Sequence, residues 1–134
     1  MKWTVGLLCL ISGCLLAQGQ VTPKGAMISW ETARHDFGDI VQGEKVEHTF
    51  TFTNTGDQPL VITNVEVTCG CTTPKGWPRD PIMPGHNGEL TVAFDSTGKI
   101  GRQNKVVTIT SNATGTINQV LIIINVLEKN LPDN

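Results

Sequence analysis

From Met27 onward, apolar and polar residues alternate with a period of two, and no window carries the 3.6-residue repeat of a helix. Val46, His48, Phe50 and Phe52 alternate with Glu47, Thr49, Thr51 and Thr53, which predicts a half-buried strand rich in β-forming residues. A second strand is expected with Val61, Val65 and Val67 on one face and Thr63 between them. Leu90, Val92 and Phe94 against Thr91, Ala93 and Asp95 define another, and Val107 and Ile109 mark the next. Residues 120–126 differ, because Leu121-Ile122-Ile123-Ile124 is apolar on both faces. Such a segment predicts a central strand covered on both sides, or one covered by a partner; the first is the simpler reading.

Turn residues punctuate these segments at Gly43, Asn54-Thr55-Gly56, Pro84-Gly85, Ser96-Thr97-Gly98 and Asn112-Ala113-Thr114-Gly115. Asn54 and Gly56 read as a reversal that uses their tolerance of left-handed backbone. Pro84-Gly85 fits a type II turn, with proline fixing φ and glycine taking positive φ. Short strands, frequent turns and no helical window argue for an all-β sandwich or small barrel. Phe37 and Phe52 are the expected apolar anchors of its core.

The first residues carry a different pattern. Lys2 gives a positive start, and residues 3–17 are apolar except for Thr4, Gly6, Ser12 and Gly13. That run is short and glycine-interrupted for a membrane span, and it ends in the small-x-small sequence Ala17-Gln18-Gly19. Residues 1–19 are therefore expected to be a signal peptide. A competing reading takes Ile11-Ser12-Gly13-Cys14 as a lipobox, with Cys14 lipidated, although Leu15-Leu16-Ala17 continues the apolar run past it. Residues 20–33 then form an N-terminal segment with the first strand, residues 34–127 the sandwich and residues 128–134 a polar tail. A mature chain of about 115 residues buries roughly two thirds of its unfolded surface, enough for one core.

Charge narrows the partners. The chain carries a formal net charge of −2; beyond residue 19 it has nine basic and twelve acidic residues, a net of −3. This weakly acidic domain lacks the basic footprint that nucleic acid requires. The seven aromatics of the whole chain are scattered and include no tyrosine, so no base-stacking platform is expected.

The ordered landmarks carry a family resemblance. They are His35-Asp36-Phe37-Gly38-Asp39-Ile40, then Phe50-Thr51-Phe52-Thr53-Asn54-Thr55-Gly56, Pro59-Leu60-Val61-Ile62, Cys69-Gly70-Cys71-Thr72, Pro84-Gly85, Val92-Ala93-Phe94-Asp95 and Ser111-Asn112. The series resembles the secreted bacterial family labelled domain of unknown function 1573, common in Bacteroidetes. That family is itself similar to the Hydin and major-sperm-protein class of immunoglobulin-like domains. The likeness covers residues 34–127, and the Cys-Gly-Cys-Thr stretch with the later Pro-Gly turn is its most specific part. It implies an immunoglobulin-like antiparallel β-sandwich of about seven strands and an envelope location, periplasm or cell surface. It implies no assigned activity, and a fold alone does not carry one.

Cys69-Gly70-Cys71 is the arrangement with chemical potential. In an extended strand both sulfurs would share the face of Val61, Val65 and Val67. Three readings stay open. The cysteines can be small buried hydrophobes. They can form a disulfide; extended residues two apart place their Cα atoms near the upper limit of about 7 Å, and Gly70 could bend the chain to close the gap. They can hold a soft metal such as copper(I), with His48 or His86 as guessed further ligands. No metal or other cofactor is expected in the leading reading.

Catalytic patterns are missing from the sequence: no Gly-x-Ser-x-Gly elbow, no His-Glu-x-x-His, no phosphate-binding glycine loop. His35 and Asp36 are adjacent, so on a strand they face opposite ways and form no base with its orienter. His48 reads as a core histidine. The loop 72–87 holds Trp77 and Arg79, read either as a lid over the sandwich end or as an exposed partner-binding anchor. Asn112-Ala113-Thr114 has the form of an N-glycosylation sequon. Asp95-Ser96-Thr97 resembles the O-glycosylation site of Bacteroidetes envelope proteins, with Ser96 the acceptor, and reads equally as a turn. The expected function is a non-catalytic binding or scaffold module for an unknown protein or envelope component. The alternatives are a thiol, disulfide or metal protein working through the cysteine pair, and a purely structural envelope protein.

Overall fold

The structure, a computed structural model, describes residues 25–115 and 118–130. The signal-peptide and Cys14 readings fall outside these residues. Eight strands follow one another: β1 (Ile28–Trp30), β2 (Arg34–Val41), β3 (Lys45–Asn54), β4 (Ile62–Val67), β5 (Thr72–Gly76), β6 (Asn87–Asp95), β7 (Gly101–Ser111) and β8 (Asn118–Leu127). They form two four-stranded sheets, ordered β1-β3-β6-β5 and β2-β8-β7-β4. Every pairing is antiparallel except β2 with β8. The chain leaves the first sheet after Trp30 and joins the second at Arg34, so β1 and β2 edge opposite sheets. The remaining order is that of an immunoglobulin-like sandwich, one strand richer than expected from sequence.

The core follows the period-two pattern. Phe50 and Phe52 of β3, Leu90, Val92 and Phe94 of β6, Val107 and Ile109 of β7, and alternate residues of β8 from Val120 to Val126 are buried together between the sheets. The outward positions are polar, and Thr49 and Thr91 meet across β3 and β6 with hydroxyls 2.9 Å apart.

Three expectations change. β8 lies between β2 and β7, but only its inner face is covered by a second sheet. Ile123 is nonetheless almost fully buried outside the core cluster, level with Asp36 on one side and Asn104 on the other. Second, β4 does not present Val61, Val65 and Val67 on one face. A register shift between Ile62 and Asn64 re-phases the strand, so Ile62 and Val65 are buried and Val61 precedes the strand. Val61 is pinned there by Asn112, whose Oδ1 accepts the Val61 N–H at 2.8 Å. Third, loop 72–87 begins as strand β5, paired to β6 through Thr72, Thr73 and Pro74.

The turn at Asn54 works by a different physics from the one expected. Neither Asn54 nor Gly56 has positive φ. Asn54 is fully buried: its Oδ1 accepts the N–H groups of Met27 and Gly56, and its Nδ2 donates to the carbonyls of Gln58 and Ile82. Gly56 is needed for close approach, because a Cβ there would collide with the carbonyl oxygen of Gly25 and the nitrogen of Met27. Gly85 does take positive φ, 81°, and His86 N donates to Met83 O at 3.0 Å across the Pro84-Gly85 turn.

Candidate functional site: the cysteine turn and its groove

β4 ends at Val67, and the chain then turns through Thr68–Cys71 into β5. Thr72 N donates to Cys69 O at 3.2 Å, so the cysteines sit in a tight turn and not in an extended strand. That turn brings their Cα atoms to 5.3 Å, well inside bridging range, and the two sulfurs are joined as a disulfide. Gly70 has no positive φ and open space where a Cβ would stand.

Polar groups converge on the sulfurs. Cys71 N–H points at Cys69 Sγ at 3.2 Å, and the buried Thr72 hydroxyl lies 3.8 Å from both sulfurs. Both cysteines are partly exposed. Beside the turn, a shallow groove of about 290 Å³ opens on the outer face of the β3-β6-β5 sheet. Ala93, a small residue on the central strand, lines it together with Lys45, Cys71, Thr73, Lys75 and Asp95. Lys75 reaches across β6 to Glu47 at 3.0 Å, and Lys45 stands 4.0 Å from Asp95. Asp95 is held below the usual carboxylate range, first by hydrogen bonds from the Thr97 hydroxyl and backbone N–H, and also by the Lys45 charge.

The metal reading gains no ligand set. With the sulfurs bonded to each other there are no thiolates, and no group of three or more His, Cys, Asp or Glu side chains gathers among the described residues. His86 is exposed beside the Pro84-Gly85 turn. His48 lies on the inward face of β3, half-buried, where its ring stacks on that of His35 with centroids 3.6 Å apart. Phe50 meets His48 edge-on at 4.7 Å and Phe37 meets His35 at 4.5 Å. Burial, and secondarily the neighbouring His35, lowers the His48 pKa below its ordinary 6.5. Asp36 faces away from His35 and accepts the Gly38 N–H at 2.8 Å.

Trp77 is half-buried and packs against the core, with the Arg79 guanidinium 3.8 Å above its ring. The indole thus packs on the core while Arg79 stays exposed. Ser96 needs correction as a glycosylation acceptor. It is fully buried; its hydroxyl donates to Glu44 O at 2.6 Å and accepts the Gly43 N–H at 2.9 Å. The folded chain presents no Ser96 hydroxyl to solvent, and Asp95-Ser96-Thr97 is a turn in which Asp95 Oδ1 accepts Thr97 N–H.

Two packed sheets in this strand order, with one N-terminal strand on each, define an immunoglobulin-like module. Residues 28–126 match the family described as protein of unknown function (DUF1573), and the chain belongs to that family. A protein of unknown function from Porphyromonas gingivalis W83 is similar in structure, with TM-score 0.66 and 18% identity over 80% of this chain and 50% of that one. The ASH / PapD-like domain 7 of human CEP192 is similar over 90% of this chain and 99% of its own, with TM-score 0.62 and 10% identity. The VesB protease of Vibrio cholerae matches with TM-score 0.59 and 16% identity over 75% of this chain, but over only 31% of its own. The chain thus spans half of the Porphyromonas gingivalis protein and under a third of the VesB protease, and at these identities the likeness is one of fold. No curated protein matches the chain. Among the described residues no helix is long and apolar enough to cross a membrane.

Proposed function

We propose that this chain is an exported binding module of the bacterial cell envelope, without hydrolytic or phosphoryl-transfer activity, that takes up an extended segment of a partner along the open edge of β3. Export is supported by the signal-like residues 1–19 and by a disulfide, which persists in oxidising compartments. The observation that carries the binding reading is the length mismatch between β1 and β3. β1 pairs only with Phe52–Asn54, so the half of β3 from Lys45 to Thr49 has a strand neighbour, β6, on one side only. Asn54 N bonds His86 O towards β6, whereas Thr51 O accepts Glu31 N on the opposite side. The odd-numbered residues Lys45, Glu47 and Thr49 therefore turn their backbone groups to the open edge.

Other edges are interrupted. β5 contains Pro74 and a register shift, β2 shifts between Asp36 and Asp39, and β4 shifts near its start. Such breaks discourage strand addition, while β3 keeps an unbroken register with β6 from Lys45 to Thr53. Trp77, held against the core, serves the fold and leaves contact to the strand edge. The test is Thr49→Pro, which removes an outward N–H without touching the bonds to β6. Immobilised wild-type chain retains a partner from a bacterial envelope extract and the variant, melting normally, loses it. Equal retention by both refutes the edge.

A further inference from the structure

The chemistry around Cys69 and Cys71 exceeds what holding a turn requires, and it goes beyond the binding reading without depending on it. A disulfide closed across a single intervening residue staples almost no chain, so it removes little entropy from the unfolded state. The two sulfurs are also unlike. The Thr72 hydroxyl is equally near both, but only Cys69 Sγ has the Cys71 N–H directed at it, and Cys71 lines the groove whereas Cys69 does not. One sulfur is placed to receive negative charge and the other to be reached. Lys45 and Lys75 stand on the rim of the approach, and the floor beside it is the small side chain of Ala93.

We propose that Cys69–Cys71 is a thiol–disulfide exchange site whose substrate is a cysteine dithiol of an envelope protein, with Cys71 the sulfur attacked and Cys69 the leaving group. A substrate thiolate entering along the groove bonds to Cys71 Sγ. The Cys69–Cys71 bond breaks and its electron pair leaves on Cys69 Sγ, where the Cys71 N–H and the Thr72 hydroxyl stabilise the charge. Cys69 then takes a proton from solvent. The second thiolate of the substrate attacks the substrate sulfur of the mixed disulfide and expels Cys71 as thiolate. The substrate has lost two electrons and become a disulfide; the pair has gained them and become a dithiol. Reoxidation runs the same steps backwards against a second disulfide of the compartment. Thr72 acts on the departing sulfur directly, and its strand pairing to Phe94 fixes its position.

The oxidised full chain is exposed under native conditions to reduced glutathione and quenched at short times with N-ethylmaleimide. Peptide fragmentation then locates each adduct, separately from Cys9 and Cys14. Glutathione on Cys71 with N-ethylmaleimide on Cys69 is the expected pattern; glutathione on Cys69, or no adduct until the chain is unfolded, overturns the assignment. Thr72→Val, which keeps the side chain's shape, slows exchange roughly three- to ten-fold, the net worth of one ordinary hydrogen bond. An unchanged rate in that variant removes the donor role. The wild-type rate measured again in urea decides the matter without any variant: exchange as fast in the unfolded chain as in the folded one leaves the small ring alone responsible and overturns the built site.

Discussion

His35 and His48 lie face to face, 7° from parallel, and so join β2 of one sheet to β3 of the other. Phe37 and Phe50 close the ends of the stack edge-on. Two imidazoles this close cannot both be charged without repulsion, and burial further disfavours a proton on His48.

Stability should therefore fall as the solution is acidified below neutrality. The His48 pKa is lowered in the folded chain, so between that value and 6.5 the unfolded chain binds more protons than the folded one. The stabilisation is complete above 6.5 and is lost as pH falls through the folded-state value. The urea midpoint is expected to decline from pH 7.5 to pH 5.5. In His48→Phe, which keeps an aromatic ring against Phe50, most of that slope should vanish. Asp95, lowered by Thr97 and Lys45, acts in a separate window: its contribution is present above 3.8 and fades only below it. A midpoint that is flat across pH 5.5–7.5 in the wild-type chain contradicts the stack's role.

Asn54 is the residue whose loss should cost most for its size. Its fully buried side chain fills four hydrogen bonds, so Asn54→Ala takes that partner from the N–H groups of Met27 and Gly56 and from the carbonyls of Gln58 and Ile82. Part of that is recovered by relaxation, leaving a loss of about 2–4 kcal/mol. The melting midpoint should drop by at least about 10 °C. A drop of only a degree or two, by calorimetry, would mean that the loop between Asn54 and Leu60 is held by other contacts.

The glycines of the two most characteristic motifs should behave oppositely. Gly56→Ala places a methyl into the backbone of Gly25 and Met27 and should undock β1 from β3, at a cost above about 2 kcal/mol. Gly70→Ala meets open space at ordinary φ and should shift stability by no more than about 0.5 kcal/mol, with the disulfide intact. Denaturant unfolding of both variants, with thiol counting on the second, checks the pair. A collapse of the Gly70→Ala variant would show that the turn needs glycine for a reason the backbone does not reveal.

What was legible in the sequence depended on whether a residue's surroundings were local. Phe50, Phe52, Val92 and Phe94 were placed inward by period two alone, because β3 and β6 run in unbroken register. β4 was mis-phased because one shifted residue, between Ile62 and Asn64, moves every later side chain to the other face. β5 was hidden: Thr-Thr-Pro-Lys-Gly carries no alternation, and it becomes a strand only because β6 offers an edge. Gly56 stood out, yet for the wrong reason, since the backbone it must admit lies 31 residues away at Gly25. The His35 partner of His48 and the burial of Ser96 were invisible for the same cause. Both arise from packing between segments far apart in the chain, and alternation says which face a residue takes but not what it meets there.

Trp77 and Arg79 separate fold from contact in the loop after β5. The indole packs on the core and the guanidinium lies over it from the solvent side. Removing the cation leaves the ring in place, so Arg79→Ala should cost no more than about 1 kcal/mol, the usual worth of an exposed cation–π contact. Removing the ring strips its packing from the core. Trp77→Ala should cost about 2–4 kcal/mol, somewhat less than a fully buried aromatic. The emission spectrum gives a second readout. Loss of Trp77 should remove part of the shielded, blue-shifted tryptophan signal, leaving Trp30, which lies 5.0 Å from Phe52, as its main remaining source. If Arg79→Ala destabilises as much as Trp77→Ala, the guanidinium and not the ring anchors that loop. The indole would then be the surface that a partner meets.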